Sequence, residues 1–266
     1  MRLPRGLGWI PDDPVLVAAQ QARSPFSVLE ELLPGEPRST VSYAACMLGG
    51  IPDQGGTSSC VGFAFSTALF IIAAIAGTPI PRPSSKLIYD FARAEDRPYS
   101  RLLDLGSRPV AAANVLTTKG MIADADWALR FMPDGTSNVN QRPYLDVFQT
   151  ALAYRLGSYY RISAGGGASA AVRRALDRRL CPVFAMPVDA AYQRHTSGIY
   201  EGRKGASLGG HMQAFCGYGD GYLEVVTSWG ETHGERGIVR IANDYVDSGE
   251  CTDIITPTLL PALRAA

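Results

Sequence analysis

The sequence predicts an α+β protein of two lobes, a helical lobe followed by a sheet-rich one, with the functional cleft between them. Three observations predict it. A 17-residue stretch without charge, "CVGFAFSTALFIIAAIA" (60–76), has the length of a central helix. Helix and loop patterns dominate up to about residue 150. Beyond that, short runs of β-branched and aromatic residues alternate with glycines, the signature of strands and turns.

Taken in order, residues 1–50 read as an irregular, Pro-rich arm packed on the body, with one short helix at "SPFSVLEELL" capped by Ser24 or Ser27. The uncharged run comes next. It sits at the lower limit for crossing hydrocarbon, lacks basic flanks and contains Ser66 and Thr67, so it reads as a helix buried on every side rather than a membrane span. "GTPIPRP" stops it, and "SSKLIYDFARAED" starts a second helix with Ser84 or Ser85 as cap. "VAAANVLTTKG" is a third, closed by Gly120. In the second half "SYYRIS" is a strand and "ASAAVRRALDRRL" an amphipathic helix, while "PVFAMPV", "HMQAFCGYG", "YLEVVTSWG" and "GIVRIAN" are further strands. The expected division is an arm over 1–50, a helical lobe over 51–150 and a sheet lobe over 151–266.

Composition excludes several function classes. The chain has 266 residues, 46% of them hydrophobic, and its 25 basic and 25 acidic side chains cancel, which gives no electrostatic reason for a nucleic acid or an anionic membrane as partner. The N-terminal stretch lacks an apolar core of signal-peptide length before Pro11, Asp12 and Asp13. Five scattered cysteines without C-x-x-C spacing indicate neither a disulfide framework nor a metal site, and no cofactor is expected. They read as reduced thiols in a cytoplasmic product, with Cys181 and Cys216 in apolar strand contexts. Trp9 and Trp127 read as packing anchors, and His195 as a surface or scaffold residue.

The chemistry concentrates in "DQGGTSSCVGFAFS". Here Cys60 opens the apolar helix six residues after Gln54, behind a Gly/Ser/Thr-rich turn that includes Ser59. A thiolate is favoured by a helix N-terminus and by a nearby imidazole. Of three histidines, His211 stands out, because "GGHMQAFCGYG" puts it after two glycines at the start of a strand, where a partner can approach closely.

"DQGGTSSCVGFAFS", "GGHMQAFCGYG" and "TSWGETHGERGIVRI" resemble, in this order, the three signature blocks of papain-like cysteine peptidases. "CPVFAMPVDAAYQRHTSGIY" is similar to the family's stretch leading to the histidine, and "GWIPDDP" resembles the arm of bacterial members. The resemblance covers residues 50–245 in order, loosely over 78–150. It implies the papain-like two-lobe fold, Cys60 as nucleophile, His211 as its base, Gln54 as oxyanion donor beside the Cys60 backbone N–H, and Trp229 covering the histidine's hydrogen bond to its orienting residue. The family's orienting asparagine is replaced by Thr227, whose hydroxyl is expected within hydrogen-bond reach of His211. A second family tryptophan is replaced by His233, and Thr57 stands where the family has a cysteine. The family's glycine-rich substrate-binding strand finds no counterpart.

The resemblance further implies a thiol peptidase acting on peptide or protein substrates through an acyl-enzyme on Cys60. The alternative is a catalytically weakened papain-fold protein with a structural or binding role among the subunits of a larger assembly, such as a phage particle or tail. About fifty residues precede the cysteine block, too few for the family's long inhibitory propeptide.

Overall fold

A computed structural model describes residues 5–23, 25–32, 38–47, 50–96, 103–143, 145–151 and 155–259. Two helices, α1 (Pro14–Arg23) and α2 (Phe26–Leu32), and a short strand β1 (Val41–Ser42) precede the helical part. That part holds α3 (Cys60–Ile75), α4 (Ser85–Asp96), α5 (Pro109–Thr118) and α6 (Leu145–Ala151). The rest is β2 (Leu156–Ile162), α7 (Ala168–Asp177), β3 (Val183–Val188), α8 (Ala190–Gln193), β4 (Ile199–Tyr200), β5 (Gly209–Gly219), β6 (Tyr222–Val226), β7 (Ile238–Ala242), α9 (Asn243–Asp247) and β8 (Thr252–Leu259).

The uncharged run is the buried helix its composition predicts. α3 packs on α4, β5 and β8, so all but a few residues near its C-terminal end are buried, and no polar stripe is needed. Among the described residues no helix is long and apolar enough to cross a membrane. α4 starts as expected, with Ser84 Oγ accepting from the Leu87 backbone N–H at 2.9 Å. It also buries a charge cluster: Asp90 accepts from Lys86 at 2.6 Å, from Arg93 at 2.7 Å and from the Trp127 indole at 2.9 Å. Paired on three sides, that carboxylate stays inside at tolerable cost. α5 closes at Gly120, at φ 83 in the left-handed region.

The strands form one sheet in the order β2-β8-β3-β5-β6-β7-β4, with β1 on the side of β5. All described pairings are antiparallel except β4 with β7. β5 is the axis, pairing with β3 and β6 and carrying His211 opposite Met186. Buried from His211 to Gly219, it lacks the polar alternation of a half-exposed strand.

Three expectations change. The arm is less irregular than its composition indicates, because residues 14–23 form α1, with Asp13 Oδ1 accepting from Val15 N at 2.8 Å and Pro14 in the first turn. Ser27 lies inside α2 rather than at its cap, and Ser24 lies outside the described residues. Strand β8, not read from the sequence, fills the gap between β2 and β3.

Candidate active site

The turn before α3 is built from its own hydroxyls. Thr57 Oγ1 donates to the Gln54 carbonyl at 2.7 Å and lies 2.7 Å from Ser59 Oγ, which fixes Ser59 as the donor of that pair. From outside, Asp104 accepts from the Ser58 N–H at 3.0 Å and from the Tyr89 hydroxyl at 2.7 Å. The turn is held from both ends, and Cys60 emerges as the first residue of α3.

Backbone pairing then joins this turn to the Ser-Trp-Gly block. Gln54 N–H donates to Ser228 O at 2.9 Å and Gly230 N–H to Pro52 O at 3.1 Å, while Ser228 Oγ donates to Gln54 Oε1 at 2.5 Å. Trp229 is thereby laid on His211, with ring centroids 4.2 Å apart and planes 22° from parallel. His233 meets the same indole edge-on at 4.8 Å. The backbone N–H of Met212, the residue after His211, points at the Cys60 thiol. The structure therefore brings Cys60, His211, Gln54, Trp229, Ser59 and His233 into one neighbourhood.

Residues 5–10 of the arm fill that neighbourhood. Gly6 N–H donates to Gly55 O at 2.9 Å, and the Gly6 carbonyl accepts from Gln54 Nε2 at 3.2 Å and Trp229 Nε1 at 3.3 Å. Gln54 Nε2 also donates to Thr57 O at 2.6 Å, so both amide hydrogens are engaged, one by the arm. The Gly8 N–H points at the Cys60 sulfur. Further on, Ser107 N–H donates to Gly8 O at 3.0 Å and Ile10 N–H to Ser107 O at 3.1 Å, while Trp9 N–H donates to Gly210 O at 3.3 Å. This contact needs glycine: a Cβ on Gly6 would come within 1.8 Å of Thr57 O, and one on Gly8 within 1.9 Å of Ser58 O. Arg5 lies over Trp229 at 5.1 Å, donates to Gln193 O at 2.9 Å and hydrogen-bonds His233 Nδ1.

Electrostatics follow from this cover. Cys60 and His211 have no exposed surface. Burial pushes the Cys60 thiol up to about 11, and burial together with the Arg5 charge pulls His211 down to about 3. His233 falls to about 2 through burial, Arg5 and the neighbouring imidazoles. With the arm in place, burial favours a neutral thiol and neutral imidazoles over a thiolate–imidazolium pair.

Thr227 is buried at the end of β6, but the expected hydroxyl–imidazole hydrogen bond does not form. Its Oγ1 and both ring nitrogens of His211 have no hydrogen-bond partner among the described residues. Several further residues escape the sequence reading. Ser107, beside Gly106, lines the cleft where no substrate-binding strand was expected, because a single Gly-Ser pair carries no periodic signal. Arg5, Gly6, Gly8 and Trp9 enter the site only through long-range contact, although two glycines flanking a leucine before a tryptophan mark a segment built for close approach.

This arrangement defines a class. The fold is papain-like: it matches xylellain, a cysteine protease from Xylella fastidiosa, at TM-score 0.79 and 19% identity over 98% of each chain. It also matches a procathepsin B from Trypanosoma congolense at 0.71 and 18%, over 95% of this chain and 86% of that one. In sequence, the model of the papain family cysteine proteases matches residues 137–258, the span that carries His211, Thr227, Trp229 and His233. Macrodontain-1 of Ananas macrodontes is 38% identical over 87 residues, 31% of this chain and 40% of that protein. The cysteine proteinase RD21A of Arabidopsis thaliana is 25% identical over 213 residues, 78% and 43% respectively. The chain thus spans about two fifths of the length of these curated relatives.

Proposed function

We propose that the protein is a thiol peptidase that cleaves peptide bonds through an acyl-enzyme on Cys60, and that residues 5–10 hold it closed. The observation that carries the reading is the position of Gly6 and Gly8. An extended backbone lies across Cys60 with a carbonyl on the Gln54 amide, as a bound peptide would lie.

Once the arm withdraws, water reaches the site and the desolvation that keeps Cys60 and His211 neutral is relieved. The proton moves from thiol to imidazole, and the thiolate at the start of α3 attacks the carbonyl carbon. Negative charge passes to the carbonyl oxygen, facing the Gln54 N–H that Gly6 vacates and the Cys60 backbone N–H. The His211 imidazolium gives its proton to the departing amine, leaving a thioester. Water, deprotonated by His211, then releases the acid and restores the thiol. The substrate class is peptide or protein, and no cofactor is required.

A second reading, a papain-fold protein with weakened turnover serving an assembly, draws its support from the His211 ring, whose nitrogens have no hydrogen-bond partner among the described residues. One experiment separates them. The full chain is treated with an epoxide thiol probe and assayed on a casein-type substrate, beside Cys60→Ala. Labelling at Cys60 with hydrolysis lost in Cys60→Ala supports the peptidase, whereas labelling without hydrolysis supports the second reading.

A further inference from the structure

β5 carries a glutamine that the chemistry above leaves unused. From Gly209 to Ala214 the strand pairs with β3 without a slip, so Gln213 follows His211 on the same face, two residues further on. Met212, Ala214 and Phe215 around it are apolar, and Gln213 is buried among them. A carboxamide in such a place brings two donor hydrogens and an acceptor oxygen, each of which needs a partner. The Tyr192 hydroxyl donates to Gln213 Oε1, whereas Nε2 has no partner among the described residues. Tyr192 belongs to the same aromatic cluster as the site. Its ring lies 5.1 Å from that of His233 and 5.8 Å from that of Trp229, the indole stacked on His211.

His211 needs an acceptor that the closed form does not give it. Once the ring takes the Cys60 proton it has two N–H groups, one for the thiolate and one for something else. Two neighbours cannot serve. The Trp229 indole offers only its Nε1–H, which goes to Gly6 O. His233 Nδ1 accepts from Arg5, because a guanidinium only donates, so the proton of that neutral ring sits on Nε2. Thr227 follows Val226, the partner of Ala214, which puts it across from Gln213. Neither Thr227 Oγ1 nor Gln213 bonds the ring nitrogens with the arm in place. They differ in reach. The threonine oxygen hangs directly on Cβ and turns about one stiff torsion. The glutamine amide ends three rotatable bonds, and its one tie is at Oε1, an atom that can accept twice.

We propose that Gln213 is the positioning residue of His211: when the arm leaves and the imidazolium forms, Gln213 Oε1, steadied by Tyr192, accepts from the ring N–H turned away from Cys60. This rests on the peptidase reading above. The only proton that moves is the one passing from thiol to imidazole. Stacking on Trp229 fixes the plane of the ring but not which of its edges faces Cys60, and an acceptor on the opposite edge makes that choice. A neutral oxygen also favours the charged ring without drawing its proton away.

The test compares the full chain with its Gln213→Leu variant, of similar volume, on one peptide. Loss of a hydrogen bond to a charged group should lower kcat about ten- to a hundredfold with KM little changed. The alkaline limb of the pH profile should move down, because an imidazolium without its acceptor gives up its proton more readily. In the Gln213→Leu chain, recovery of kcat on adding Thr227→Asn, which brings a second carboxamide to the neighbouring strand end, supports the proposal. Tyr192→Phe removes the other user of the same oxygen and leaves Oε1 in place, so it should cost less than Gln213→Leu. An unchanged kcat, a loss with the alkaline limb unmoved, or an equal loss in Tyr192→Phe overturns the proposal. Should Gln213→Leu not fold, the parent labelled at Cys60 with the epoxide is read by proton NMR at about pH 5, where an uncovered imidazole is protonated. A downfield His211 ring N–H in contact with the Gln213 amide protons is expected. A ring N–H that exchanges too fast to be seen, or that meets Thr227 instead, overturns the proposal. If the parent is labelled but cleaves no peptide, the peptidase reading fails and this spectrum alone decides whether Gln213 holds the ring.

Discussion

The carbonyl oxygen of Gly6 lies 3.2 Å from the side-chain nitrogen of Gln54, so the arm occupies the donor that an oxyanion would need. This single contact links the closed form to the chemistry. It also makes the two glycines of the arm the sensitive points of closure. Gly8→Val puts a branched side chain where even a Cβ meets Ser58 O at 1.9 Å, so the arm must lift. Epoxide labelling of Cys60 and peptide hydrolysis should both rise, by about tenfold or more, with the melting temperature little changed for α3 and the sheet. Unchanged labelling would mean that the cleft is reached with the arm in place.

Gln54→Ala separates two roles of one side chain. It removes a tie to the arm, so labelling of Cys60 should be as fast as in the parent or faster. It also removes the donor for developing negative charge, and loss of such a donor costs about 10²–10³ in kcat. The expected signature is labelling kept and turnover lost, read by comparing probe kinetics with kcat on one peptide. A change confined to KM would place Gln54 in substrate binding instead.

How much of this was legible in the sequence depended on whether a feature is local. α3 could be read because seventeen uncharged residues need burial wherever they fold, and α4 because Ser84 precedes a 3.6-residue pattern. α1 was missed although Asp13 and Pro14 are a start signal, because none of its residues is buried and its apolar residues mark no face. β8 was missed because Pro257 interrupts its run, and a proline in a strand reads as an edge or a break. It is tolerated here opposite Tyr159 in a strand whose other neighbour pairs elsewhere along its length. The candidate site residues were recognisable from block order. The arm's path through the cleft was not, since contacts such as Gly6 with Gln54 and Trp9 with Asp253, 244 residues apart, leave no periodic trace.

Thr227 offers a test of how the imidazole is held. Its hydroxyl is buried and has no partner among the described residues, so Thr227→Val, nearly the same in shape, removes an unsatisfied group and should leave stability unchanged or raise it by up to about 1 kcal/mol. Turnover should also be unchanged, because no hydrogen bond to His211 is lost. Denaturant midpoints and kcat on the same preparation check this. A tenfold fall in kcat would show that the hydroxyl engages His211 after the arm leaves.

Acid should open the arm. His211 and His233, held at about 3 and about 2 against an ordinary 6.5, are neutral in the closed form and prefer to be protonated once exposed. Lowered pKa values of this kind give stability that is present above about 6.5 and drains away as pH falls toward 3, because the open state binds the extra protons. Asp12 acts in the opposite sense. Burial and the Asp253 carboxylate raise it from 3.8 to about 6 despite Arg161, so its contribution is present below 3.8 and is lost as pH rises through 6. Two histidines that gain protons in the open state outweigh one aspartate that gains a proton in the closed state. Between pH 7 and pH 4, therefore, protection of the arm's amides against hydrogen exchange should fall, and proteolytic nicking near residues 5–10 should increase. His233→Gln keeps a polar partner for Arg5 while removing one of the two titrations, so the loss of protection should become shallower without vanishing. Protection that instead grows on acidification would mean that Asp12 governs the arm, and Asp12→Asn would then be the variant that flattens the profile.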